Sequence, residues 1–375
     1  MDIKPEVMTA SSAPSLIQQF DEKIFNYRRA AVSLSQQRNA LLPACRCPPE
    51  ILSTIFQLYV TSVHGRLSQT SRAQPPFEWI AGVTHTCHYW REVALGTSML
   101  WTIIPVTHCR TEVIEAFVQR SGTAPLVVDT AREAEEEEIA LFVPSDRLSL
   151  LRSVFGRIGS LKVQLTNELY PALFPQEFTN TPASLHTLVM GLSYETIQFH
   201  EFPFPLADET FVPKRTISSL QHLDVRRYSV TWDPSVFPKT LTHLCIDNMH
   251  EGSPMSDVVN VISSLGALQE LTLCNVIDIG SNIEPLSLLA KRSILRSLAI
   301  ISLFEWSTLT ASYSFLDHFQ LPSLRNLEVT TDYPTPTNFE QDLAILRILI
   351  PRIIIPQAPI HRLHLPFGAF RTSRC

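Results

Sequence analysis

The pattern apolar-x-x-Leu-x-apolar recurs eight times in the later two-thirds of this chain, and it constrains the fold more than any other feature. It runs at Ile158, Leu161, Val163; Leu185, Leu188, Met190; Leu220, Leu223, Val225; and Leu241, Leu244, Ile246. It returns at Leu268, Leu271, Leu273; Leu295, Leu298, Ile300; Leu324, Leu327, Val329; and Ile360, Leu363, Leu365. The alternation at its end predicts a short strand whose apolar side chains share one face. No such strand can bury that face alone. Each buried Leu, Ile or Val contributes about 1.5–3 kcal/mol, which offsets the ordering of its segment only when neighbouring copies stack against it.

Most spacings between copies lie within or near the roughly 20–29 residues of leucine-rich repeats. Residues 125–370 therefore read as an irregular α/β solenoid of that type, with helices expected at Met255 to Leu265, Pro285 to Arg292, Ser312 to Phe319 and Asn338 to Leu349. The asparagine such strands are followed by is present only loosely, at Asn248 and Asn275. The acidic run Glu133 to Glu138 reads as a solvated loop or helix face.

The earlier part of the chain has a helical texture. Over 15–42, Leu16, Phe20, Ile24, Tyr27, Ala31, Leu34 and Leu41 fall on one helix face, which either docks on a partner or packs on this chain's own next domain. Residues 43–105 form a second unit. Pro48-Pro49-Glu50 opens a helix with Ile51, Leu52, Ile55, Phe56 and Tyr59 on its apolar side, since proline at a first helical position forfeits no hydrogen bond. Residues 61–76 read as a loop, and one further helix is expected through Val83, Cys87, Trp90 and Ala94, closed by Leu100 and Trp101.

Composition excludes several functions. A net charge of -6 offers no basic stripe for nucleic acid. Eleven glycines in 375 residues supply no phosphate loop, and neither a G-x-S-x-G elbow nor an H-E-x-x-H pair occurs. Cys45 and Cys47 with His85, Cys87 and His88 fit no standard zinc spacing, so neither metal nor cofactor is expected, and no catalytic set is assigned. Seven scattered cysteines, no secretory signal of the usual form and no long apolar segment suggest a reduced, cytoplasmic or nuclear setting without membrane contact.

The segments Cys47-Pro48-Pro49-Glu50-Ile51-Leu52-Ser53-Thr54-Ile55-Phe56, then Val83 to Ala94 with Cys87, Trp90 and Arg91, and then Thr97-Ser98-Met99-Leu100-Trp101 resemble the F-box-like domain of fungal F-box proteins. That family often has a leading helix ending in an Arg-Asn pair, here Arg38-Asn39, and a tail of divergent leucine-rich repeats. Cys47 stands where the family usually has Leu, and the segment Thr61 to Pro76 is an insertion. The resemblance implies an α+β chain: an N-terminal helix and a three-helix F-box followed by the repeat solenoid. It also implies a substrate-recognition adaptor of an SCF-type cullin-RING ubiquitin ligase, acting in ubiquitin conjugation without chemistry of its own. The box would bind the linker subunit, and through it a cullin. By the same resemblance the linker-binding positions are Pro48, Pro49, Ile51, Leu52, Ile55, Phe56, Val83, Cys87, Trp90 and Trp101, contact and core roles being mixed in the last four.

The strand alternation puts the residues between the apolar positions on the opposite face, where a target protein would bind. These include His222, Asp224, Arg226, His243, Asp247, Glu270, Asn326 and Glu328, a set of both charge signs that suits protein recognition. The alternative reading is a non-ligase repeat scaffold whose degenerate box is a structural cap.

Overall fold

A computed structural model describes residues 13–67, 78–104, 106, 109–129, 145–165, 184–192, 217–226, 230, 232–247, 253–274, 292–306, 309–331 and 362–364. The chain divides into two compact units, Met1–Trp101 and Thr102–Cys375.

The first unit is helical. It contains α1 (Ala13–Ala40), α2 (Pro49–Leu67), α3 (Glu78–Thr84) and α4 (His88–Gly96), with short 3-10 turns at Pro43–Cys45 and Ser98–Trp101. Helix α2 starts on Pro49 and extends through Leu67, so residues 61–67 are helical where a loop was expected; the rest of that segment lies outside the described residues. The single helix expected through Val83 and Ala94 is two helices. Cys87 is extended there (φ -157°, ψ 171°), and its sulfur accepts the Trp90 N–H at 3.5 Å, filling the place of an N-cap oxygen. Leu52, Phe56 and Val60 line one side of α2 and are buried with Ile80, Val83, Val93, Ala94, Leu100 and Trp101. Trp101 Nε1, buried in this small core, donates to Ala94 O at 2.9 Å and is satisfied, while at the surface Arg91 Nε donates to Thr84 O at 2.9 Å.

The second unit is a parallel sheet with helices. Its strands are β1 (Ile103–Ile104), β2 (Leu126–Asp129), β3 (Ile158–Leu165), β4 (Thr187–Leu192), β5 (His222–Arg226), β6 (His243–Asp247), β7 (Glu270–Cys274), β8 (Ser293–Ile294), β9 (Ile300–Trp306), β10 (Phe319–Gln320), β11 (Asn326–Thr331) and β12 (Arg362–His364). Ten of them form one sheet in the order β1-β2-β3-β4-β5-β6-β7-β9-β11-β12, every pair parallel; β8 and β10 pair separately. The described helices are α5 (Thr111–Arg120), α6 (Ser145–Ser153), α7 (Met255–Ser264) and α8 (Leu309–Leu316).

This architecture corrects the fold class. The chain is α/β, dominated by one continuous parallel sheet, and not the α+β combination of a three-helix box with a leucine-rich-repeat solenoid. The returns between strands are unequal: α7 joins β6 to β7, whereas the described residues between β5 and β6 form no helix and instead bury Val230, Trp232, Val236 and Phe237. A six-residue apolar pattern specifies a strand and its buried face. It is blind to how the chain returns, and the return decides the architecture. The expected helices at Pro285 to Arg292 and Asn338 to Leu349, the acidic run, Asn248 and Asn275 lie outside the described residues, Arg292 apart.

The sheet's core side is a cross-strand ladder. Val128, Leu161, Leu188, Leu223, Leu244, Leu271, Ile301 and Leu327 are successive register partners, and the backbone pairing continues from Leu327 to position 363 on β12. A second row runs Val163, Met190, Val225, Ile246, Leu273, Leu303, Val329. One triplet is out of phase with the sequence pattern. Ile300 is aligned with Glu270 and Asn326 on the polar side, and the buried positions of β9 are Ile301 and Leu303. Strands β6, β7, β9 and β11 are entered in the same way, two successive N–H groups donating to the carbonyl of the residue just before the preceding strand: Thr242 and His243 to Gln221 O, Gln269 and Glu270 to Thr242 O, Ala299 and Ile300 to Gln269 O, Arg325 and Asn326 to Ala299 O. This repeated entry sets the register of these neighbouring strands.

Candidate functional site

Two surfaces carry the residues singled out by the sequence. On the first unit, α2 has two apolar sides. Pro48, Pro49, Ile51 and Ile55 are exposed, Ile51 at 52% and Ile55 at 48%, and Leu58 joins them at 68%. Leu52, Phe56, Val83 and Trp101 are 1–3% exposed inside the unit's own core. Cys87 and Trp90 are half-buried: Cys87 Sγ lies 3.7 Å from Cys45 Sγ, and the Trp90 ring is 5.1 Å from that of Phe56 while its Nε1 donates to Ala44 O. Burial, and then the Cys87 thiol, push the Cys45 thiol up from its ordinary value, so it stays protonated at neutral pH. Leu58 falls outside the recognised motif. The spacing of Ile51, Ile55 and Leu58, one helix stripe, is the signal that would have found it.

On the second unit, cross-strand register brings together residues that are far apart in sequence. Thr187, His222, His243 and Glu270 form one row on the polar face; Lys162, Val189, Asp224, Cys245 and Thr272 form the next; Gly191, Arg226, Asp247 and Cys274 a third. Asn326 and Glu328 stand in the first two rows but on β11, beyond β9, about 10 Å from β7 at ordinary strand spacing. The central cluster is thus on β5, β6 and β7. Cys245 and Thr272 belong to it by register.

Asp224 is the buried charge of this face, 7% exposed. Its carboxylate takes a two-pronged grip from Arg226, Nε at 3.0 Å and a terminal nitrogen at 2.8 Å, and that hydrogen bonding holds the guanidinium charged. Burial, and then the Asp224 charge, push the Cys245 thiol up to about 12, so it is a neutral filler and no nucleophile. The rings of His222 and His243 lie 5.4 Å apart, tilted by 30°. The Thr242 hydroxyl donates to Gln221 O at 3.0 Å, which leaves it accepting from His243 Nδ1–H at 2.8 Å. His243 Nε2 then faces the Glu270 carboxylate at 3.6 Å.

Burial, reinforced by the neighbouring His243, lowers the His222 pKa from its ordinary 6.5. The folded state therefore disfavours the proton that the unfolded chain accepts, and stability from this group is complete above about pH 6.5 and declines as pH falls toward the depressed value. The expected result is that the melting temperature of His222→Gln falls less between pH 7 and pH 5 than that of the unaltered protein. Equal falls in both would show that His222 has no part in the acid response.

The arrangement offers a broad polar face of mixed sign, suited to charged and hydrogen-bonding partners. A cavity of about 10 Å³ on the core side, room for about one water, is lined by apolar residues including Leu188, Leu223 and Phe237. Among the described residues no three His, Cys, Asp or Glu side chains are placed to hold a metal ion, and no helix is long and apolar enough to cross a membrane. No family model, no curated protein and no solved structure matches this chain.

Proposed function

We propose that this chain is a substrate-recognition adaptor of an SCF-type cullin-RING ubiquitin ligase, working in the cytoplasm or nucleus. The F-box-like segment would bind the linker subunit, and the polar face of the sheet a target protein. The observation that carries this reading is the outward stripe Ile51, Ile55, Leu58 behind an exposed Pro48-Pro49, in a helix whose other side already fills the unit's core. A contiguous apolar stripe left in water is costly for a monomer and is the usual form of a docking surface. The catalytic contribution is proximity alone: a lysine of the target is held near the charged enzyme, and no bond is made by this chain.

The test is co-expression with the linker subunit. Recovery of a complex by the unaltered chain, and its loss in Ile51→Asp/Ile55→Asp with an unchanged melting temperature, supports the reading; failure of the unaltered chain to bind sinks it. A second reading, a non-ligase scaffold whose box is only structural, draws on the burial of Leu52, Phe56, Val83 and Trp101. Under it the double variant changes nothing.

A further inference from the structure

We propose that helix α1 pairs with α1 of a second copy of this chain, the two running antiparallel as a short coiled coil. The helix is continuous from Ala13 to Ala40, and every position from Ile17 to Arg38 is exposed. Ile17, Phe20, Ile24, Tyr27, Ala31 and Leu34 recur at alternating steps of three and four, the a/d seam of a heptad. Five of these six are large and all five stand 47–76% exposed. An isolated helix gains nothing from such a seam, and in water α1 needs a partner that covers it.

Charge and size along the seam select the partner and its direction. In a parallel, in-register pair, Lys23 of one helix would flank Arg28 of the other, Arg38 would face Arg38 inside the seam, and Ala31 would meet Ala31. Like charges and paired small residues both oppose that arrangement. Run antiparallel with Ile24 opposite Tyr27 of the second copy, the same helix complements itself. Ile17 then meets Leu34, the large Phe20 meets the small Ala31, and Arg38 sits at the last position of the overlap, opposite Ala13 of the second copy and away from any other arginine. Asp21 lies within two residues of Arg28 of the second copy, about 3 Å along the axis, and by two-fold symmetry this attraction occurs twice. The seam is thus self-complementary in charge and volume in one direction only, which is what an isologous interface requires.

The test is the mass of the full chain in solution, by light scattering or sedimentation at tens of micromolar. About twice 42.3 kDa is expected for the unaltered protein. Ile24→Glu should return it to a monomer with an unchanged melting temperature and unchanged capture of the linker subunit, because the side chain supports nothing within the chain. Asp21→Arg and Arg28→Asp should each weaken the dimer several-fold, and the two together should restore it. A monomeric unaltered chain, a dimer that survives Ile24→Glu, or an Arg28→Asp variant that dimerises more tightly, as a parallel pair relieved of Lys23 would, each overturns the proposal.

Discussion

Phe56→Ala is expected to destabilise the helical unit by about 3–5 kcal/mol, whereas Ile55→Ala, one residue away, stays within about 0.5 kcal/mol. Phe56 is 1% exposed, packed on Trp90 and flanked along its helix by the buried Leu52 and Val60, so truncation removes a fully buried ring and leaves a cavity in the unit's core. Ile55 is half in water and leaves no hole. Amide hydrogen exchange of α2 and α4 in the full chain separates the two, since it reads this unit without mixing in the sheet. Loss of protection confined to Phe56→Ala is the expected outcome. Equal protection in both variants would mean that the two sides of α2 are not divided as described.

Leu271→Ala should cost about 2–5 kcal/mol. Leu271 is 1% exposed on a central strand, with Leu244 and Ile301 as register partners on either side, so the void is walled by side chains that are themselves held in the ladder. Thr272→Ala, on the opposite face of the same strand, is expected within about 1 kcal/mol. A urea titration followed by far-UV circular dichroism reads the difference as a lower midpoint at an unchanged slope. A neutral Leu271→Ala would show that the ladder does not carry the stability of the sheet.

Sequence made the strands legible wherever alternation was unbroken, as at Leu241, Leu244 and Ile246, because a buried face repeats every second residue and the period follows from strand geometry. It misplaced β9. Leu295, Leu298 and Ile300 satisfy the pattern by coincidence, while the register with β7 and β11 aligns Ile301 and Leu303 with the core. The break at Cys87 was hidden for a related reason: Val83, Cys87, Trp90 and Ala94 keep helical spacing across it, and nothing in that spacing shows a cysteine acting as a cap.

The α2 motif shows the same limit. Ile51, Leu52, Ile55 and Phe56 are equally apolar, and periodicity can show only that the apolar surface exceeds what one side of a helix needs. Which pair faces inward, Leu52 and Phe56, is decided by where α3 and α4 lie.

What the linear order determined by itself is local: the inward alternation of most strands and the helical course of α1, both set by backbone periods that need no distant partner. Tertiary pairing decided the rest, replacing the expected solenoid by one ten-stranded parallel sheet and gathering His222, His243 and Glu270 into a row. Those residues meet only through hydrogen bonds between strands distant along the chain, and the energy that selects such pairings comes from packing a shared core.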